Sequence, residues 1–93
     1  MIKGLANKET EKVYNQQYSL KLPRDIQKVA LRKLLMIDNA TRLDDLRIPP
    51  ANRLELLKGK RSGQYSIRIN DQYRICFTFD GNDADHVEIT DYH

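Results

Sequence analysis

The sequence predicts an α+β fold of two layers, in which two helices pack on one face of an antiparallel sheet of about four strands. Before about residue 50, apolar side chains recur at three- and four-residue spacing, which is the period of a helix. After that point they alternate with polar side chains, which is the period of a strand. One apolar helix stripe and one apolar sheet face are both buried when the two layers stack.

The first half of the chain contains the predicted helices. Residues 2–5 are a candidate short N-terminal strand, and Asn7 is a suitable N-cap for a helix over residues 8–16. Pro23 suits the first position of a second helix, which is expected to end near residues 39–40. The apolar stripe of this helix consists of Ile26, Val29, Ala30, Leu34 and Ile37.

A short turn and a loop are predicted after the second helix. Thr41 with Asp44 resembles a capping-box start for one further turn over residues 42–46. Pro49 and Pro50 then exclude a helix and open a loop.

The second half predicts four strands in an antiparallel meander. Three leucines indicate a first strand that ends at Gly59, and turn signals at residues 70–71 and 81–83 separate the other three. The apolar face carries Tyr65, Ile67, Ile69, Tyr73, Ile75, Phe77, Phe79, Val87 and Ile89. The opposite face is expected to be open and to carry Ser66, Arg68, Arg74, Cys76, Glu88, Thr90 and Tyr92. In this register Arg74 and Tyr92 lie close together.

Size and composition limit the function classes. With 93 residues the chain is expected to form one domain, residues 1–93, without room for a separate cofactor domain. A net charge of +3 favours a nucleic acid or an acidic protein as partner. One cysteine cannot form an internal disulfide, and no apolar run reaches the roughly 18 residues of a membrane span. No signal peptide is apparent, so we expect a cytoplasmic protein that does not bind membranes.

Motifs for metal or nucleotide cofactors are lacking. The two histidines and one cysteine do not have metal-site spacing, and the four glycines are scattered over turns rather than grouped in a phosphate loop. We therefore expect no cofactor. Cys76 is expected to be a small strand residue, and the charge of Arg74 on the same face is one influence that can lower its thiol pKa, although no catalytic triad follows from this.

A basic segment precedes a cluster of proton-transfer groups. Between residues 53 and 74, six basic side chains outnumber the acidic pair Glu55 and Asp71. The basic six are Arg53, Lys58, Lys60, Arg61, Arg68 and Arg74. The sequence then closes with Asp91, Tyr92 and His93. Polyanion binding beside acid–base groups is what RNA cleavage without a metal requires.

Four motifs occur in a fixed order along the chain. Residues 40–46 read ATRLDDL, residues 53–59 read RLELLKG, residues 63–75 read GQYSIRINDQYRI, and the last three residues are DYH. Together they resemble the motifs of HigB-type toxins in the RelE/ParE superfamily, which read A-T-x-L-x-D-L, R-L-x-x-L-K-G, G-x-x-S-I-x-V-N-x-x-W/Y-R-I and D-Y-H. The resemblance covers nearly the whole chain.

The resemblance implies a type II toxin encoded with a HigA-like helix-turn-helix antitoxin. Such toxins enter the ribosomal A site and cut mRNA during translation, so the ribosome and mRNA are the other expected partners. The implied fold is RelE-like and microbial-ribonuclease-like, with two helices on one face of the sheet, in agreement with the prediction from periodicity. The implied reaction is attack of a ribose 2′-oxygen on its own 3′-phosphorus, without a metal.

The resemblance also implies the catalytic residues. Arg74 occupies the motif arginine and is expected to hold the scissile phosphate through its planar fork of donors. Lys58 of the L-K-G segment would add charge to the same phosphate. His93 suits a base or an acid because imidazole titrates near pH 6.5, and Tyr92 would stack on RNA or donate a proton. Asp91 would orient His93 or bind a backbone group.

Glu55 departs from the family pattern. Many HigB toxins carry histidine at this position, in R-L-H-P-L-K-G. A carboxylate is also able to act as a base, so either Glu55 or His93 would take the proton of the ribose hydroxyl. The other basic residues of the segment, which are expected to bind RNA, are Arg53, Lys60, Arg61 and Arg68.

Two other functions stay open at this point. A ParE-like protein of the same fold would poison DNA gyrase without catalysis, because fold alone does not fix function. A binding-only module would hold RNA or an antitoxin with a decayed site. Arg74 and the terminal DYH favour the nuclease over the gyrase poison, whereas Glu55 leaves the binding-only alternative open.

Overall fold

A computed structural model describes residues 1–91 and confirms the two-layer α+β architecture. The helical layer contains α1, Lys8–Tyr14, and α2, Arg24–Asn39. The sheet contains β1, Glu55–Leu56, β2, Tyr65–Arg68, β3, Tyr73–Asp80, and β4, Asp83–Asp91. Short 3-10 turns cover Leu43–Arg47, Pro50–Asn52 and Gly59–Arg61. None of the helices within residues 1–91 has the length and apolar character needed to cross a membrane.

The predicted meander is confirmed, because the strands lie in the order β1-β2-β3-β4 with antiparallel neighbours. The first strand is shorter than the leucines suggested. Its pairing stops after Leu57, whose N–H donates to the Gln64 carbonyl at 2.8 Å. Gly59 then turns the chain with φ of +68°, which a residue with a side chain rarely adopts.

The main core lies between α2 and the apolar face of the sheet. The side chains of Leu34, Ile37, Ile67, Ile75, Phe77 and Val87 are fully buried there. Burial of one such side chain contributes about 1.5–3 kcal/mol relative to exposure. Val29 is only half-buried, whereas the other four residues of the predicted apolar stripe of α2 are buried. Lys33, which is not part of that stripe, is buried beside them.

The helix ends follow local polar groups. Asn7 caps α1 as predicted, since its side-chain oxygen accepts the N–H of Thr10 at 2.9 Å. The helix ends at Tyr14 rather than at residue 16, because Gln16 is left-handed with φ of +62°. Pro23 is the N-cap of α2 and not its first residue, which corrects the prediction.

The turn after α2 begins one residue later than predicted, over Leu43–Arg47. The carboxylate that caps it belongs to Asp45 and not to Asp44. Asp45 accepts the N–H groups of Thr41 and Arg42 at 3.0 and 3.1 Å. Asp44 instead forms an ion pair with Arg47 at 2.8 Å.

The residues before α1 cover the outer edge of β4. The predicted N-terminal strand is present only as two isolated parallel bridges, from Ile2 to Ala84 and from Leu5 to Val87. Further along, the Thr10 hydroxyl accepts the N–H of Ile89 at 3.0 Å. These contacts satisfy backbone groups that an uncovered edge strand would present to other chains.

The proline loop is held by a buried amide. Asn52, at the end of the turn Pro50–Asn52, is fully buried and donates to the Leu46 carbonyl at 3.2 Å. Its side-chain oxygen accepts the ammonium of Lys33 at 2.5 Å. Burial, followed by the charges of Arg32 and Arg68, lowers the pKa of Lys33. This buried lysine fixes the loop that leads to β1.

Candidate nucleic-acid cleavage site

The polar side chains of the sheet form rows across its second face. Arg74 in β3 lies opposite Arg68 in β2 and Thr90 in β4. Cys76 lies opposite Ser66 and Glu88. These residues therefore share one face of the sheet with Arg74, as predicted. The expectation of an open face is wrong at its centre.

The centre of this face is buried although it is polar. Ser66 and Cys76 are fully buried, and Arg74 is 9% exposed. The backbone of Arg53, just before β1, lies against the Arg74 guanidinium. Leu57 is also buried, outside the main core cluster. The segment around β1 therefore covers a face that alternation alone leaves exposed.

Among residues 1–91, three acceptors hold the Arg74 guanidinium. Its Nε donates to the Ser66 hydroxyl at 2.7 Å, and its Nη2 donates to the Arg53 carbonyl at 2.6 Å and to the Ser66 carbonyl at 3.4 Å. Arg53 has left-handed backbone angles, φ +46° and ψ +57°, at the end of the proline turn. These neutral acceptors fix the orientation of the guanidinium.

Glu55 is brought to the same point. Its Oε1 lies 4.0 Å from Arg74 Nη2, and β1 pairs Glu55 directly with Ser66. The Glu55 side chain is 53% exposed, whereas that of Arg74 is 11% exposed. An accessible carboxylate thus stands at the rim of a fixed cation, and both residues were predicted from the sequence.

Arg61 and Glu88 form a second charged pair on this face. Arg61 Nη1 and Nη2 both lie 3.3 Å from Glu88 Oε1, and Nη1 also donates to Gln64 at 3.0 Å. Each side chain of the pair is about a third exposed, at 32% and 30%. The pair connects the basic turn Gly59–Arg61 to β4, which is the strand next to the one that carries Arg74.

Cys76 is not a reactive thiol in this environment. Burial raises its pKa, and this outweighs the lowering by a hydrogen bond with Thr90 and by the charges of Arg61 and Arg74. Arg74 does lower the thiol pKa, as expected, but the effect of burial is larger, so the net direction is upward. Cys76 contributes volume to the buried row between Ser66 and Glu88.

Lys58, which is predicted to be catalytic, and the four predicted RNA-binding residues lie in two kinds of environment. Arg53, Lys58 and Lys60 have exposed side chains and form no ion pair with residues 1–91. Arg68 forms an ion pair with Asp71 in the β2–β3 turn, and Arg61 is engaged by Glu88. Lys58 lies directly before the turn Gly59–Arg61.

Asp91 is the last described residue of the predicted terminal cluster. It lies opposite Tyr73 at the end of β4, and its Oδ2 accepts the side-chain N–H of Gln72 at 3.0 Å. Tyr92 and His93, which the sequence predicts to be catalytic, lie outside the described residues. The strand that leads to them is the neighbour of the strand that carries Arg74.

The site contains partners to which the sequence interpretation gave no role. Ser66 holds Arg74, and Glu88 holds Arg61. Alternation places both on the polar face that carries Arg74, so the available signal was a small hydroxyl and a carboxylate on the same face as that arginine. Within residues 1–91, no three His, Cys, Asp or Glu side chains converge to hold a metal ion.

This arrangement can bind and polarise a phosphate diester. A fixed guanidinium supplies donors for a phosphate, and a nearby carboxylate can accept a proton. The exposed side chains of Lys58 and Lys60, in the segment that follows β1, add positive charge for a polyanion.

The chain is similar to known toxins. It matches the family described as "RelE-like toxin of type II toxin-antitoxin system HigB" over residues 3–93. "Endoribonuclease HigB" of Proteus vulgaris is 32% identical over 94 residues, which cover 100% of both chains. "Toxin HigB-1" of Vibrio cholerae serotype O1 is 48% identical over 56 residues, which are 60% of this chain and 59% of that protein.

Two further similarities concern length and fold. An uncharacterized protein of Haemophilus influenzae is 45% identical over 67 residues, 72% of this chain and 66% of that protein. The chain thus spans less than two thirds of the length of the Haemophilus and Vibrio relatives. The solved YoeB-YefM toxin-antitoxin heterotetramer from Staphylococcus aureus contains a chain with TM-score 0.62 and 23% identity, matched over 100% of this chain and 95% of that one. The likeness to that chain concerns the fold.

Proposed function

The chain belongs to the HigB-like family of RelE-like type II toxins, and on that premise we propose that it is an endoribonuclease that cuts mRNA in the ribosomal A site. The observation that carries the proposal is the Arg74 guanidinium, held by the Ser66 hydroxyl at 2.7 Å and the Arg53 carbonyl at 2.6 Å, with Glu55 at 4.0 Å. A family relative named as an endoribonuclease matches along the full chain and supports the same activity.

The reaction is transesterification within the RNA. The ribose 2′-hydroxyl loses its proton to a base, and its oxygen attacks the adjacent 3′-phosphorus. The bond from phosphorus to the 5′-oxygen breaks, and that oxygen takes a proton from an acid. The products are a 2′,3′-cyclic phosphate and a free 5′-hydroxyl. The chemistry needs positive charge on the phosphorane, one base and one acid, and the side chains of this protein supply those groups without a metal.

Arg74 stabilises the negative charge that develops on the phosphorane oxygens. Because the protein fixes its orientation before substrate arrives, little reorganisation is needed at the transition state. Lys58 adds a second positive charge from the exposed end of β1. Loss of one such donor typically costs 10²–10³-fold in kcat.

Glu55 and His93 share the proton-transfer roles. Glu55 is accessible and adjacent to Arg74, which makes it the base in the scheme that uses the described residues. His93 then serves as the acid for the 5′-oxygen, with Tyr92 stacking on the RNA and Asp91 orienting the imidazole. In the reverse assignment His93 is the base. The pH–rate profile of the Glu55→Gln variant distinguishes the two assignments. If Glu55 is the base, the variant loses the rise in rate with pH that the base causes, and if His93 is the base, that rise remains.

The proposed partners are the ribosome, its mRNA and a HigA-like antitoxin. Arg53, Lys60, Arg61 and Arg68 would bind RNA around the cleft. The YoeB-YefM structure is a toxin–antitoxin complex of the same fold, which supports an antitoxin partner for this chain. Complex formation would neutralise the toxin, and its action is proposed to be cytoplasmic.

Cleavage on purified bacterial ribosomes tests the proposal. Ribosomes programmed with a defined mRNA are incubated with the protein, and cuts are mapped by primer extension. We expect cuts in the A-site codon that fall about 10²–10³-fold in rate for Arg74→Ala, and that also fall for His93→Ala. Arg47→Ala is the matched control, because Arg47 is an exposed arginine paired with Asp44 in the helical layer.

Three results would contradict parts of the proposal. Equal cutting by wild type and Arg74→Ala removes Arg74 from the site. Cutting of the same mRNA without ribosomes removes the A-site requirement. Intact mRNA together with inhibited supercoiling by DNA gyrase replaces the nuclease with a ParE-like activity.

A further inference from the structure

Lys33 is a buried cation to which the proposed reaction gives no role. It lies in α2 and is 5% exposed, and its ammonium donates to the side-chain oxygen of Asn52. It forms no ion pair with any of residues 1–91. Burial of a charge without an opposite charge opposes folding, and an apolar side chain of similar volume is often at least as stable in such a place. Stability alone therefore does not account for a lysine at this position.

The partner of Lys33 is held on both polar atoms of its side chain. Asn52 is fully buried, and its side-chain nitrogen donates to the Leu46 carbonyl at 3.2 Å and to the Ile48 carbonyl at 3.5 Å. Its oxygen accepts the ammonium of Lys33. The amide cannot rotate without leaving buried polar groups unpaired, which is costly. Asn52 is thus a fixed point between the helical layer and the loop that enters β1.

This fixed point directly precedes the residue whose carbonyl holds Arg74. Arg53 has left-handed backbone angles, which residues other than glycine adopt uncommonly. Such a conformation persists only where the surrounding structure imposes it. Here the anchored Asn52 lies on one side of Arg53 and the start of β1 on the other. The direction of the Arg53 carbonyl, which accepts Arg74 Nη2 at 2.6 Å, therefore depends on the anchor at Asn52.

The same anchor influences the carboxylate at the rim of the site. Glu55 follows Arg53 by two residues, pairs with Ser66 and lies 4.0 Å from Arg74 Nη2. The strand β1 contains only Glu55 and Leu56, so its own pairing gives this segment little rigidity. Release of Asn52 would therefore move the Arg53 carbonyl and the Glu55 carboxylate together.

We propose that Lys33 and Asn52 are positioning residues for the cleavage site, which act through the Arg53 backbone to hold the Arg74 guanidinium and the Glu55 carboxylate in their reactive arrangement. The inference rests on the proposed function and adds to it a buried pair that belongs to the helical layer and the proline loop. Neither side chain of the pair touches the RNA. Their loss should therefore slow the reaction without weakening the binding of ribosomes.

Single-turnover cleavage on ribosomes over a range of protein concentrations tests the proposal, because it gives the maximal rate and the concentration at half-saturation separately. Lys33→Met removes the ammonium, and the double variant Lys33→Met, Asn52→Leu replaces the whole pair with apolar side chains. We expect both to keep the half-saturation concentration and to lose about 10²-fold in maximal rate, the effect of a displacement of about 1 Å. Lys3→Met is the matched control, because Lys3 is an exposed lysine paired with Asp83 beside the far edge of the sheet.

NMR of the Arg74 side chain is a second readout, and it does not depend on activity. The Nε–H signal is assigned by its loss in Arg74→Ala. In wild type and in Lys3→Met we expect this hydrogen to exchange slowly with water, because the buried Ser66 hydroxyl accepts it. In Lys33→Met and in the double variant we expect faster exchange at Arg74, while the backbone amides of β3 stay protected.

Three results would overturn the inference. They are a double variant with the maximal rate of wild type, one with the Arg74 exchange of wild type, and one that does not fold, because the pair would then support the whole fold rather than the site. If the inference alone is wrong, wild type and the double variant cut mRNA on ribosomes equally fast. If the proposed function is wrong, no variant cuts mRNA, while exchange at Arg74 still reports whether the pair positions it.

Discussion

Replacing Ser66 with alanine is expected to loosen the Arg74 guanidinium without removing its charge. Ser66 is fully buried, and its hydroxyl accepts Arg74 Nε–H at 2.7 Å. A hydrogen bond to a charged group is worth about 1.5–3 kcal/mol, and a buried donor without a partner carries a similar penalty. We expect the free energy of unfolding to fall by about 1.5–3 kcal/mol, which lowers Tm by roughly 6–24 °C for a chain of this size.

The catalytic consequence of Ser66→Ala differs from its effect on stability. A reacting group displaced by about 1 Å can reduce the rate about 10²-fold. The positive charge stays near the cleft, so ribosome affinity should change little while kcat falls. Single-turnover cleavage on saturated ribosomes measures kcat at a temperature well below the lowered Tm. Ser62→Ala is the control, because Ser62 is exposed in the turn before β2.

A double-mutant cycle decides whether the hydrogen bond is the cause. In the Arg74→Ala variant there is no guanidinium for Ser66 to bind, so adding Ser66→Ala should change the free energy of unfolding little. The expected coupling free energy is about 1.5–3 kcal/mol, well above the additivity error of about 0.3–0.5 kcal/mol. Strictly additive single substitutions would refute the assigned role of Ser66.

Three further outcomes are expected. Glu88→Gln releases Arg61 from an ion pair whose side chains are about a third exposed. Thermal melts should therefore show a fall in the free energy of unfolding of less than about 1 kcal/mol. A larger loss would point to a buried network. A hydroxyl hydrogen bond lowers the pKa of Glu9 and backbone N–H donors lower that of Asp45. A carboxyl group whose pKa is lowered by folding stabilises the fold at pH values above its unfolded-state pKa, which is near 4. The urea concentration at the unfolding midpoint should therefore fall as the pH drops below about 4. A midpoint that does not change with pH in this range would contradict the prediction. Burial raises the pKa of Cys76, so an aromatic disulfide reagent at pH 8 should label the thiol only in urea, and rapid labelling of the native protein would contradict its burial.

Much of the fold follows from periodicity because burial on one side of an element leaves a repeating pattern. The strands β2 to β4 and the helix α2 all lie where the pattern predicts them. Lys33 shows the limit of the approach, since a charged side chain interrupts the apolar pattern yet is buried. Its burial depends on Asn52, which arrives from 19 residues further along the chain.

The cleavage site was predictable only in part for a similar reason. Alternation and motif similarity place Arg74 and Glu55, and the sheet register puts Ser66 and Glu88 on the same face. The covering of that face by the Arg53 backbone has no local signal, because a left-handed conformation at a non-glycine residue depends on its surroundings. The sequence therefore indicated which groups meet, but not that Arg74 is nearly enclosed.

The bridges between the first residues and β4 have a consequence for synthesis. The hydrogen bond from the Ile89 N–H to the Thr10 hydroxyl cannot form until Ile89 is synthesised, 79 residues after Thr10. At about 5–20 residues per second, this interval lasts roughly 4–16 s. Throughout it the nascent chain lacks the strand that neighbours Arg74 on one side. The sheet beside Arg74 therefore cannot be completed until translation has passed β4, which ends at Asp91.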